Sequence, residues 1–140
     1  MTPADIIAHL NLQPHPEGGY YRQTWIGDDG ERPSGTSIYF LLTNGNASHW
    51  HNVDATEIWH YYSGAPLILS ISATDAGPAE DHMLCPDLLA GQSPQIIVPQ
   101  HYWQAARTTG EYTLVGCTVS PAFQFEGFTL APDGFDIPRG

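Results

Sequence analysis

Gly45-Asn46-Ala47-Ser48-His49-Trp50-His51 opens a stretch that runs on through Glu57 and closes at Ser63-Gly64. Ser48 to Asn52 and Glu57 to Tyr62 read as two strands. Side chains alternate along a strand with period two, which predicts that His49 and His51 share one face. The same rule groups Glu57, Trp59 and Tyr61 on one face of the next strand, and Ile58, His60 and Tyr62 on the other. Glu57 pointing inward would bring a carboxylate to the two imidazoles, with Trp59 and Tyr61 shaping the same pocket.

The pattern continues on both sides of this pair. Tyr20 to Ile26 and Ser37 to Thr43 are strand-like, and Asn44-Gly45-Asn46 is a hairpin signal. Pro66 to Ala73 carries the apolar alternation Leu67, Leu69, Ile71. Further strands are expected around His82 to Leu84, at Gln95 to Val98, at Tyr102 to Arg107 and at Tyr112 to Val119. Residues 2–10 read as one short helix, with Thr2 as cap, Pro3 in the first turn and Ile6, Ile7 and Leu10 as its apolar stripe. Gln13 to Gly19 is a tight Pro- and Gly-rich connection. The tail from Pro121 onward has aromatic anchors at Phe123, Phe125 and Phe128. Short strands with frequent turns predict an all-β sandwich or barrel with a short N-terminal helix, as a single domain over residues 1–140.

Composition narrows the partners. Fifteen Asp and Glu stand against four Lys and Arg, for a formal net charge of −11. The four cations are all arginine: Arg22, Arg32, Arg107 and Arg139. Such a field repels phosphate backbones and anionic membrane surfaces, so neither nucleic acid nor membrane is an expected partner. The two cysteines, Cys85 and Cys117, form neither a metal-knuckle spacing nor a disulfide framework, which fits a reduced, cytoplasmic setting. Cys117, on an apolar strand, reads as a small core residue. No apolar run approaches the ~20 residues of a membrane span.

Two imidazoles and a carboxylate suit a divalent metal such as iron, manganese, nickel or zinc. The same groups without a metal form a general acid–base pair, because histidine titrates near neutrality and a carboxyl can be tuned towards it.

Residues 45–64, with Gly45, His49, His51, Glu57 and Gly64, resemble the first motif of the cupin superfamily. The His-to-Glu spacing is longer, and the Gly-to-His spacing shorter, than the usual pattern. Pro99-Gln100-His101-Tyr102-Trp103-Gln104 resembles the second motif, with His101 in place of its glycine and Gln104 in place of its histidine. Together with His15-Pro16-Glu17-Gly18-Gly19-Tyr20-Tyr21 and Ser37-Ile38-Tyr39-Phe40-Leu41-Leu42, these motifs resemble the short single-domain members of the fifth cupin family, a domain of unknown function. The resemblance spans about residues 3 to 130. It implies a double-stranded β-helix (a jelly roll, or cupin barrel), a homodimer and a small-molecule pocket.

Three functions stay open on these residues. A metal-dependent enzyme would use His49, His51 and Glu57 as ligands, with Gln104 as a weak fourth. A metal-free isomerase or epimerase would use His51 as base, Glu57 to orient it, and Tyr61 or Tyr102 as acid. Arg22 would then hold a carboxylate or phosphate through its fork of donors. A non-catalytic binding module would use Trp59 and its aromatic neighbours to stack a sugar or planar ring, with Gln104 fixing orientation. Gly18-Gly19 can serve the turn alone, and by its family motif Glu17 could also reach the pocket. The expected substrate is small and polar, sugar- or carboxylate-like.

Overall fold

A computed structural model of the chain describes residues 1–139. Helix α1 (Pro3–Leu10) starts at Thr2, which caps it and forms a reciprocal capping box with Asp5. Eleven strands follow: β1 (Gln13–Pro14), β2 (Tyr20–Ile26), β3 (Thr36–Thr43), β4 (Ser48–Val53), β5 (Thr56–Gly64), β6 (Leu67–Ser72), β7 (Glu80–Leu84), β8 (Gln95–Val98), β9 (Trp103–Thr108), β10 (Tyr112–Ser120) and β11 (Phe128–Leu130). The expected strands are present with small shifts at their ends. Alternation did not reveal the short pieces β1 and β11, which are too brief to carry a period.

The strands form two antiparallel sheets. One is ordered β1-β2-β3-β10-β5-β8 and the other β11-β4-β9-β6-β7. Chain neighbours such as β4 and β5 lie in different sheets, as in a jelly roll. The expected double-stranded β-helix with one short helix is the observed fold.

The core follows from alternation on the facing sheets. Phe40, Leu42, Trp59, Leu67, Leu69 and Val115 are almost fully buried together. Each such side chain contributes about 1.5–3 kcal/mol of burial relative to exposure. Helix α1 lies outside the barrel, where Ile6 packs with Leu12 and Leu41. A second outer cluster gathers Trp50, Ala79, Ala131 and Ile137 under the C-terminal tail. Arg32 ties that end of the chain down: it donates to the Ala122 carbonyl at 3.0 Å and to both carboxylate oxygens of Asp54 at 3.0 and 2.6 Å.

Candidate functional site

The barrel holds a cavity of about 170 Å³, lined among others by His15, Glu17, His51, Glu57, Cys117 and Phe123. A cavity of roughly 150 Å³ suffices for a benzene-sized guest, so the space suits a small metabolite.

Strand β4 delivers His51 to this cavity through an irregularity. Ser48 pairs with Ala106 and His51 with Gln104. Three steps on β4 therefore oppose two on β9, and one extra residue is accommodated as a β-bulge. Ser48 and His51 consequently both face inward, where each meets Glu17. His49 is thrown to the outside: its Nε2–H donates to the Pro132 carbonyl at 2.9 Å. It lines an outer groove with Trp50, Arg107 and Arg139. The expected common face of His49 and His51 is therefore corrected, because strict alternation fails across a bulge.

Glu17 enters from the turn before β2. Gly18 has φ +104° and Gly19 has φ +79°, and a Cβ on Gly18 would strike the Ala47 carbonyl. Only glycine suits that backbone at such close approach. The turn is laced to β4 by the His49 N–H, which donates to the Glu17 carbonyl at 2.8 Å. The Ser48 hydroxyl donates to Glu17 Oε2.

The protonation pattern follows from these bonds. The His51 Nδ1 lies 2.7 Å from the His49 carbonyl, which can only accept, so Nδ1 carries the proton. Nε2 then presents a lone pair. It lies 3.6 Å from Glu17 Oε2, beyond hydrogen-bond reach, and has no hydrogen bond among the described residues. His15 holds the opposite tautomer, because its Nδ1 accepts the Glu17 N–H at 3.1 Å. Burial lowers the pKa of His51 despite the opposing charge of Glu57, and burial lowers that of His15 to about 4. Both imidazoles are neutral at pH 7. Burial pushes Glu17 up to about 8 against its bond from Ser48. Burial, and then the charge of Glu17, push Glu57 up to about 7. The 3.4 Å contact between His15 and Glu17 is thus one between neutral groups at neutral pH.

Glu57 is held by a buried relay. The Trp59 indole N–H donates to Gln104 Oε1 at 2.8 Å, and the Gln104 amide donates to Glu57 Oε1 at 2.9 Å. Gln104 and Trp59 support the carboxyl from behind and do not line the cavity. Cys117 lines the cavity with Glu57, and burial raises its thiol pKa well above the ordinary value. Cys117 is the small core residue the sequence suggested, packed with Phe40, Trp59 and Val115, and it is also a wall of the cavity. The cysteines are both free, with Cys85 bonded to Gln92.

Besides His49, Gln104 and Trp59, three further expected site residues lie off the cavity. Arg22 projects away from the cavity and stacks its guanidinium 5.5 Å from the Tyr39 ring centre. Its neighbours Tyr21 and Gln23 line the cavity instead. Tyr61 donates its hydroxyl to the Gly64 carbonyl at 2.5 Å, and both Tyr61 and Tyr102 pack against the main core rather than the cavity.

The expected metal set does not fit. Of His49, His51, Glu57 and Gln104, only His51 and Glu57 line the cavity. His49 is outside, and both ends of the Gln104 amide are engaged by Trp59 and Glu57. Among the described residues, no three His, Cys, Asp or Glu side chains are grouped to hold a metal ion.

Sequence reasoning missed His15, Ser48, Phe123 and Phe125 as site residues. The His15 ring sits 4.5 Å from that of Tyr21 and within 6.4 Å of Phe123, Phe125 and Phe128. A histidine, a glutamate and a double glycine in one short turn are the signal that could have raised His15. The phenylalanines reach the cavity only through the path of the tail. Among the described residues, no helix is long and apolar enough to cross a membrane.

No curated protein matches the chain. Among solved structures, a protein of Shewanella oneidensis is 36% identical, with a TM-score of 0.88 over 94% of this chain and 85% of that one. A hypothetical protein from Leishmania major is 28% identical, with a TM-score of 0.86 over 96% of this chain and 90% of that one. Oxalate decarboxylase of Bacillus subtilis aligns with a TM-score of 0.64 over 84% of this chain and 29% of that one; at 11% identity the likeness is one of fold. The family model described as Cupin superfamily (DUF985) matches residues 4–131, nearly the whole of the jelly roll that builds this cavity, and the chain belongs to that family.

Proposed function

We propose that the cavity is a metal-free proton-transfer site for a small polar molecule, of the isomerase or epimerase type. The observation that carries this reading is the fixed tautomer of His51. Its Nε2 lone pair faces the cavity beside a Glu17 carboxyl held protonated near neutral pH. A neutral base next to a neutral acid can take a proton from one atom of a substrate and supply one to another. Such chemistry needs no redox partner. Glu57, backed by Gln104 and Trp59 and pushed up to about 7, supplies in its ionised form a charge that favours the imidazolium as His51 takes up its proton.

The expected acid role of Tyr61 and Tyr102 passes to Glu17 in this reading. The phosphate- or carboxylate-holding role of Arg22 has no counterpart in the cavity, which weakens the carboxylate-like substrate. A binding module is favoured by one observation, the aromatic rim of Tyr21, Phe123 and Phe125. We read the assembly as a homodimer, supported by the exposed Trp25, Ile26 and Ile97 on the outer strands of the larger sheet.

Hydrogen–deuterium exchange separates these readings. Ligands found by thermal shift are incubated with the protein in D₂O, and carbon-bound deuterium is followed by NMR. Exchange with wild type that is lost in His51→Gln supports proton transfer. Binding without exchange leaves the binding module.

A further inference from the structure

The cavity has an unusual imbalance of hydrogen-bonding groups and charge. Its polar floor presents the Nε2 lone pair of His51 and the carboxyls of Glu17 and Glu57, all on side chains more than nine-tenths buried. None of the four arginines lines it. Arg22 stacks on Tyr39, Arg32 is taken by Asp54, Arg139 by Asp81 and Asp136, and Arg107 lies on the outer groove. The mouth and walls bring aromatic rings: Tyr21, Phe40, Phe123 and Phe125.

We infer that the cavity accepts a small organic cation, an ammonium group carried on a compact apolar or ring-shaped body. This rests on the reading of the cavity as a small-molecule site and names its ligand class. An ammonium brings three donors and no acceptor, which complements a floor rich in acceptors. Its charge supplies the missing partner of two buried carboxyls, and charge-assisted bonds are about twice as strong as neutral ones. Aromatic faces attract the same charge at the rim. The net charge of −11 steers cations inward and repels anions. A dicarboxylate or a nucleotide diphosphate would meet two carboxyls and no guanidinium, so the likeness of fold to oxalate decarboxylase does not extend to a dianion site.

The carboxyls also predict a linked signature. Glu57, pushed up to about 7, is about half ionised at neutral pH and is the carboxyl whose charge burial leaves unpaired, while Glu17, pushed up to about 8, keeps its proton. A bound cation pairs that charge, so its entry expels protons.

The test is calorimetric titration of the full chain at pH 7 with three molecules of matched size: benzylammonium, benzyl alcohol and benzoate. Benzylammonium is expected to bind about tenfold or more tighter than benzyl alcohol, with benzoate weakest. Its heat should vary with the ionisation enthalpy of the buffer, reporting proton release. Glu57→Gln should erase the preference for the cation, and His49→Ala should preserve it. The proton-release measurement needs only the wild type, so a poorly folding variant does not decide the matter. Equal or tighter binding of benzyl alcohol or benzoate, or binding of none of the three, overturns the cation inference. In the first case, loss of that binding in His51→Ala would leave the small-molecule site standing. If none binds, the exchange experiment on other ligands decides the site separately.

Discussion

His51 faces the Glu17 carboxyl at 3.6 Å, while His49, two residues before it, reaches out to the carbonyl of Pro132. A bulge of one residue in β4 makes that choice. It replaces a paired-histidine ligand set with an imidazole held between two carboxyl-bearing elements.

The two histidines are therefore expected to behave differently. His51→Ala should abolish ligand binding or exchange, since it removes the cavity's lone-pair acceptor. His49→Ala should leave both intact and cost about 0.5–1.5 kcal/mol for one lost hydrogen bond. Ligand titration and urea unfolding of the two variants check this directly. Equal losses of binding would restore a shared role for the pair.

Gln104→Leu tests the buried relay. The substitution keeps the approximate volume but leaves the Trp59 N–H and one Glu57 oxygen without their partner. Each orphaned buried group costs about 1–3 kcal/mol, read as a lower urea midpoint with an unchanged slope. A variant as stable as wild type would show that the relay is not needed to hold Glu57.

Stability should depend on pH in a specific way. Glu17 and Glu57 rise from 4.5 to about 8 and about 7 on folding, so the folded state holds protons that the unfolded chain has released. Their contribution is full below pH 4.5 and is lost as pH rises to about 8. His15 falls from 6.5 to about 4 and His51 also falls, so the unfolded chain binds more protons below 6.5. Their effect is to lower stability as pH drops. The two trends oppose each other between 4.5 and 6.5, which predicts a plateau there and a decline on both sides. Melting temperatures across pH 3–9 would reveal it. Glu17→Gln should flatten the alkaline limb, and a limb unchanged in that variant would count against a protonated Glu17.

Gly18→Ala should destabilise by about 1–3 kcal/mol or more, because φ of +104° is strained for alanine and its Cβ meets the Ala47 carbonyl. The turn carries Glu17, so ligand affinity should fall with it. Calorimetry and thermal unfolding of this one variant measure both effects.

Much of this protein is legible in its chain. The alternation Leu67, Leu69, Ile71 marks β6 because a half-buried strand must place every second residue in the core. Thr2-Pro3 marks the start of α1 because capping is a local hydrogen-bond problem. His51, Glu57 and Glu17 stand out as polar groups within apolar or turn-forming patterns, and all three line the cavity. The face of His49 was not legible, because a bulge depends on how β4 pairs with β9, some fifty residues on in the chain. Nor was the choice of Tyr21 and Gln23 over Arg22, since period two gives two alternating sets and packing selects which turns inward. His15, Cys117, Phe123 and Phe125 meet only when the tail and the turn before β2 fold over the same barrel end. Local periodicity and capping are short-range energies written in adjacent residues. The composition and charge of the cavity depend on contacts between distant segments, and those contacts exist only in the folded chain.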